Sequence, residues 1–208
     1  MSTLRLVLVR HGETASNVRG ALDSRPPGPP LTERGRQQAA RLAEELATEP
    51  VVAVYASTAL RAQQTAEPVA QRHSTPVRVV DGVHEVQVGD LEGLADQASY
   101  DRFFAVYSAW ADGDLHRPMP GGETGQQVLD RYLAVVRGIT SRHADGSVVL
   151  VGHGASIRLA GMALARNVPT SLAEGALLPN TGRVVLEADA KSPTGWQCLS
   201  WTGLRVLS

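Results

Sequence analysis

The chain has 208 residues, 43% of them hydrophobic, and a formal net charge of −1 from 20 Lys and Arg against 21 Asp and Glu. This length suits one α/β domain with at most a small appended subdomain, and the apolar share excludes a disordered chain. The charge balance excludes a uniformly basic face for nucleic acid but leaves room for a local basic pocket.

Leu4 to Val9 is an apolar run broken only by Arg5 and reads as a buried first strand, too short and too charged for a signal peptide. The proline-rich stretch from Arg19 to Pro30 reads as a loop. Thr32 is a fitting N-cap for a helix over Glu33 to Leu46. Val51 to Tyr55 is a second strand, followed by a helix over Ala59 to Arg72 and a short strand over Val77 to Val80. Residues Val86 to Gly122 depart from this alternation. They hold a helix over Ala98 to Ala111 with Tyr100, Phe103, Phe104, Tyr107 and Trp110, then loosen into a glycine- and proline-rich run. The segment reads as a cap-like insertion. A helix over Glu123 to Arg142, a strand over Ser147 to Val151 and a helix over Ala155 to Arg166 follow. Val184 to Leu186 and Gln197 to Trp201 are closing strands. The alternation predicts an α/β fold, a three-layer αβα sandwich with a mostly parallel central sheet and a small, largely helical cap over about residues 86–122. One cysteine, Cys198, leaves no intrachain disulfide and no cysteine-based zinc site. No stretch approaches the roughly 18 apolar residues of a membrane span. The expectation is a soluble cytoplasmic protein without membrane or nucleic-acid partners, with a homodimer left open.

Two strand ends resemble each other. The first strand runs into Arg10-His11-Gly12-Glu13, and the strand before the last long helix runs into Gly152-His153-Gly154. Ligands of open α/β sheets bind at the carboxyl ends of strands, so two such histidines can share one pocket. One alone would read as a loop residue capping a strand. A third strand leads to Ser57 and on to Arg61, near the start of the next helix. Arg61 alone would read as a solvated helix residue. Beside the two histidine loops, its planar fork of donors fits phosphate oxygens, as does a helix N-terminus.

At these residues the chain resembles the histidine phosphatase superfamily, the phosphoglycerate mutase-like fold, in its branch of small bacterial phosphatases. Arg10-His11-Gly12-Glu13-Thr14 with Asn17 is similar to the family signature. Leu31 to Gly35, Ser57 to Ala66, Val83-His84-Glu85 with Gly89 and Leu91-Glu92-Gly93, Pro120 to Thr124, and Val149 to Gly154 resemble its further motifs, in the family's order. The resemblance implies a nucleophile at His11 that accepts the phosphoryl group. It implies phosphate ligands at Arg10, Arg61, His153 and Asn17, and a general acid at Glu85. Neither a metal nor a cofactor is implied.

The chemistry is compatible with these roles. A neutral imidazole is a competent nucleophile near pH 7, and a covalent intermediate splits one difficult displacement into two. Two arginines and a protonated His153 would stabilise the charge on the transferring group. A carboxyl such as Glu85 would protonate the alkoxide that leaves. Read from its own segment, Glu85 is equally an exposed strand carboxylate. Glu13 and Glu92 read as structural carboxylates, and His73, His116 and His143 as solvent-facing. His84 stands where the family often has arginine and is expected on the pocket rim. Arg25, in a loop that departs from the family pattern, and Arg102 and Arg117, from the cap, are further candidate anion contacts. The five aromatic residues share one helical face. They can pack the cap and also offer an apolar wall to a substrate.

The leading expectation is a phosphomonoesterase acting on a small phosphorylated metabolite. The first alternative is a phosphoglycerate mutase, disfavoured by Thr14-Ala15-Ser16 and by the segment His84 to Gly93, which differ from the mutase pattern. The second is a non-catalytic phospho-ligand binding protein, disfavoured by the presence of both His11 and Glu85.

Overall fold

The computed structural model describes residues 3–168, 178–202 and 206. A six-stranded sheet has the order β3-β2-β4-β1-β5-β6, with β1 at Arg5–Arg10, β2 at Val51–Ser57, β3 at Val77–Val80, β4 at Ser147–Gly152, β5 at Arg183–Ala188 and β6 at Trp196–Trp201. β1 to β4 are mutually parallel. β5 runs antiparallel to both β1 and β6, so the sheet is mixed at that edge.

The central strands are apolar at nearly every position because both faces are covered. Leu6, Leu8, Val148 and Leu150 form one core with Tyr132, Val136 and Ile139 of α5 (Gly125–Thr140) and Ile157, Ala160 and Leu164 of α6 (Gly154–Leu164). Val7, Val9, Val149 and Val151 turn the other way. They meet Leu42, Ala43, Ala62, Ala66 and Val69 of α2 (Glu33–Glu45) and α3 (Leu60–Arg72). Helices therefore cover the sheet on both faces. As expected, Thr32 caps α2, accepting a hydrogen bond from the Gly35 amide at 3.0 Å. Thr124 and Gln127 form a reciprocal capping box at the start of α5.

Strand register positions the site. Arg10 pairs with Gly152, and Ala56 with Val151, so β1, β4 and β2 end at one level. The ladder continues one residue further, with the His11 amide donating to the Gly152 carbonyl at 3.0 Å. His11, His153 and Ser57 thus leave the sheet side by side. Gly12 follows because a Cβ there would lie 2.7 Å from the Gly35 carbonyl oxygen at the start of α2.

A third core lies beyond the sheet. α4 (Gln97–Ala111) packs Phe103, Val106, Tyr107 and Trp110 against Val86, Val88, Met119, Val128, Leu129 and Leu159. Each such buried side chain stabilises the fold by about 1.5–3 kcal/mol relative to exposure. This core fastens the segment between β3 and α5 to α5 and α6. One local expectation changes. Residues 83–88, which alternate like a strand, form no strand, since their backbone pairs with Glu123 and with the Arg131 side chain. Residues 15–19 form a one-turn helix, α1 (Ala15–Arg19), capped by Thr14 and Asn17.

Candidate active site

His11 stands at the end of β1 with only 5% of its surface exposed. Its Nδ1 lies 2.7 Å from the Gly12 carbonyl oxygen, an acceptor, so Nδ1 carries the proton. Nε2 then presents a lone pair, which accepts a hydrogen bond from Arg61 Nε at 3.2 Å. Burial, then the Arg61 and Arg10 guanidiniums, hold the imidazole well below its ordinary pKa. The result is a neutral ring whose unprotonated nitrogen, Nε2, is oriented by Arg61.

His153 is wholly buried, its ring centroid 5.2 Å from that of His11. Its Nε2 meets the Ser57 hydroxyl at 2.9 Å. Among the described residues its Nδ1 has no hydrogen-bond partner. The protonated state expected for His153 is not the one this environment favours. Burial, Arg61 and His11 all hold its pKa well below the ordinary value, because a third positive charge here would be both desolvated and repelled. It serves as a neutral ring.

Arg61 is 1% exposed and held at three points. Besides His11, it donates to Asp23 Oδ1 at 3.4 Å and to the Asp23 carbonyl at 3.0 Å. Gly28, at φ +64°, lies against the same guanidinium, where any Cβ would collide with Arg61. Asp23 also accepts a hydrogen bond from the Ser16 hydroxyl at 2.7 Å. Arg10 donates from Nη1 to the Leu178 carbonyl, and its buried Nε has no partner among the described residues. Burial lowers both arginines from their ordinary pKa, opposed by Glu85 for Arg10 and by Asp23 for Arg61. Asn17 uses its carbonyl oxygen twice, accepting from the Thr14 amide at 3.1 Å and from Asn180 at 3.2 Å. Asn17 itself lines the cavity.

Glu85 sits at the N-terminus of α6. Its carboxylate accepts the amides of Ala155 at 3.1 Å and Ser156 at 2.9 Å, and that of Val86 at 2.9 Å. Its backbone is clamped from behind. Arg131 of α5 donates to the carbonyls of Gly82 and His84 at 2.9 Å and of Glu85 at 3.0 Å, while pairing with Glu123 at 2.8 Å.

Arg10, His11, Asn17, Arg61 and Glu85 all line one cavity of about 100 Å³, with Thr14, Ala21, Leu22, Asp23, Ser24, Val88, Tyr100, Phe103, Phe104, Gly154 and Ala155. His153, wholly buried behind His11, and the four rim candidates are not among its lining residues. Arg25, Arg102 and Arg117 are exposed. Arg102 lies two residues from both Tyr100 and Phe104, about 200° around the helix from each. Arg117 follows the opposite end of α4, where its carbonyl accepts from Trp110 Nε1 at 2.7 Å. Ser24 turns inward onto Glu92 and leaves Arg25 outside. His84 turns towards Asp81 at 3.4 Å and Gln87 at 3.3 Å. His143 and His73, expected in solvent, are half-buried, and His143 packs on Tyr55 with its Nε2 3.3 Å from the phenol oxygen. His116 is exposed. Glu13 and Glu92 hold loops, bonding the Thr32 hydroxyl at 2.8 Å and the Ser24 amide at 2.9 Å. Among the described residues no group of three or more His, Cys, Asp or Glu side chains is arranged to hold a metal ion, and no helix is long and apolar enough to cross a membrane.

The sequence model of the histidine phosphatase superfamily (branch 1) matches residues 6–202. The chain belongs to the histidine phosphatase superfamily. A relative in Arabidopsis thaliana, named metal-independent phosphoserine phosphatase, is 34% identical over 207 residues, covering 98% of this chain and 83% of that protein. The glucosyl-3-phosphoglycerate phosphatase of Mycolicibacterium vanbaalenii is 33% identical over 168 residues, covering 76% of this chain and 72% of that protein. Among solved structures, one described as mycobacterial hydrolase 1 superposes with a TM-score of 0.82 at 26% identity, covering 99% of this chain and 100% of that one. A mycobacterial glucosyl-3-phosphoglycerate phosphatase in complex with VO3 superposes with a TM-score of 0.80 at 26% identity, covering 95% of this chain and 98% of that one. The chain is thus a phosphatase of this superfamily, a phosphoric monoester hydrolase.

Four supporting residues of this superfamily member escaped the sequence reading. Asp23 holds Arg61, Arg131 holds the Glu85 loop, Asn180 donates to the His11 carbonyl at 3.0 Å, and Ser57 faces His153. Ser57 lay inside a recognised motif and was within reach. The other three act across long stretches of chain and carry no local signal.

Proposed function

We propose that this phosphatase hydrolyses a small phosphomonoester through a phosphoryl group carried on Nε2 of His11, with Glu85 as general acid and then general base. One observation carries the reading. The hydrogen bond from His11 Nδ1 to the Gly12 carbonyl leaves Nε2 unprotonated in the cavity that Arg10, Arg61 and Glu85 also line.

In the first step the Nε2 lone pair attacks phosphorus. The N–P bond forms as the bond to the ester oxygen breaks, and the departing alkoxide takes a proton from Glu85. In the second step the Glu85 carboxylate takes a proton from water, whose oxygen attacks phosphorus. The N–P bond breaks, inorganic phosphate leaves, and both residues return to their starting states. Arg10, Arg61, the Asn17 amide and the neutral Nδ1–H of His153 are the donors we assign to the phosphoryl oxygens. They are fixed by the surrounding hydrogen bonds before reaction, so stabilising the developing charge costs little reorganisation. Residues 86–122 act as a cap on the alcohol side. The names of the relatives, phosphatases of phosphoserine and of glucosyl-3-phosphoglycerate, support a small phosphorylated metabolite as substrate.

The test is turnover of 3-phosphoglycerate and of p-nitrophenyl phosphate by the protein and by His11→Ala, with acid-quenched protein assayed for bound radiolabelled phosphate. The expected result is release of inorganic phosphate and a labelled intermediate, both lost in His11→Ala. Undiminished turnover by His11→Ala, or formation of 2-phosphoglycerate without inorganic phosphate, would overturn the proposal.

A further inference from the structure

We infer that the alcohol half of the substrate is uncharged and apolar, an aromatic or alkyl alcohol, and that this site selects against esters bearing a second anionic group. The inference rests on the hydrolytic reading above and deepens it. Beyond the phosphate end, the cavity wall presents Ala21, Leu22, Val88, Tyr100, Phe103 and Phe104, with Asp23 and Ser24 beside them. Phe103 meets Phe104 edge to face with centroids 5.3 Å apart, and Phe104 stacks on Tyr100 at 25° and 6.2 Å. These rings, supplied by the exposed end of the α4 aromatic stripe, form a preset apolar surface.

The polar groups of this wall already have partners. The Tyr100 hydroxyl donates to the Gly20 carbonyl at 2.9 Å. The Ser24 amide and hydroxyl both bond Glu92. The Asp23 carboxylate is shared between Ser16 and Arg61. A carboxylate or second phosphate on the alcohol would therefore lose water and find no free donor among the described residues of this wall. It would also face the Asp23 carboxylate, which lines the same cavity. The cations of the lining are Arg10 and Arg61, both assigned to the transferring phosphoryl group. The four basic residues that would have recognised a second anion, Arg25, His84, Arg102 and Arg117, are not in the lining.

The inference is tested with esters whose leaving groups are all alkyl alcohols. The ratio of kcat/KM for 2-phenylethyl phosphate to that for O-phosphoserine or 3-phosphoglycerate is expected to be about 100. Phe104→Ala should reduce that ratio about tenfold through KM for the phenylethyl ester. Leu22→Arg should raise kcat/KM for 3-phosphoglycerate about tenfold by supplying the missing cation. Phe104→Leu stands in for Phe104→Ala if circular dichroism shows that the smaller residue unfolds the cap. Equal or better turnover of the carboxylate esters, with label on His11, would overturn this inference and leave the hydrolytic reading intact. No phosphate release from any ester would overturn both.

Discussion

The two ends of the cavity are built on different physical terms. The phosphate end draws on β1, α1, α3, β4 and the loop before β5, and its side chains are fixed by hydrogen bonds to one another. Arg61 alone bonds His11 and Asp23, and Asn180 ties the His11 carbonyl to Asn17. The opposite wall draws mainly on α4 and residues 21–24, and its polar groups are satisfied among themselves. On the proposed reading, one end stabilises charge and the other excludes it. Positioning at the first end depends on networks that a single substitution disturbs, whereas the second depends on apolar area and tolerates partial change.

The sharpest break in this comparison is His11→Ala. It should lower kcat/KM for every ester by about 10⁴-fold or more, measured by phosphate release, since the proposed phosphoryl acceptor is lost. Glu85→Gln should lower kcat for alkyl esters by about 10²–10³-fold. It should cost much less with p-nitrophenyl phosphate, whose leaving group needs no proton. Equal losses on both esters would remove Glu85 from the acid role. Asp23→Asn should lower kcat/KM about tenfold for all esters alike by loosening Arg61, which distinguishes it from a wall substitution.

The smallest effect is on pH dependence. The folded pKa values of His11 and His153 lie well below 6.5, and an unfolded histidine titrates near 6.5. Below about pH 6.5 the unfolded chain thus binds more protons than the folded one, and stability falls as pH falls through that window. Melting temperature should decline from pH 7.5 towards pH 5, and His153→Asn should decline less steeply. The acid limb of kcat/KM should likewise lie below pH 6.5, because His11 keeps its lone pair there.

Much of the grouping at the proposed phosphate end was legible in the sequence. His11 and His153 each follow an apolar strand and precede glycine, and parallel strands in register bring such ends together. Arg61 was placed by the same logic on the neighbouring strand. Glu85 was legible through family resemblance rather than its own segment, because an alternating loop and an edge strand look alike until backbone partners are known. The rim candidates lie outside the cavity lining for another reason. Arg102 sits in an aromatic-rich helix, but charge in a sequence carries no direction, and the helix turns it away from Tyr100 and Phe104.

The sequence by itself determined which residues stand at strand ends, where a helix begins at Thr32, and which face of α4 is aromatic. Those features follow from local backbone preference and from apolar periodicity, which act over a few residues. Tertiary structure decided the rest. Asp23 reaches Arg61 across 38 residues, and Asn180 reaches His11 across 169. The neutral state of His153 depends on burial and on neighbours from three segments. The apolar character of the alcohol side depends on which polar groups find partners within the wall. Desolvation and long-range hydrogen bonding exist only once the chain is packed.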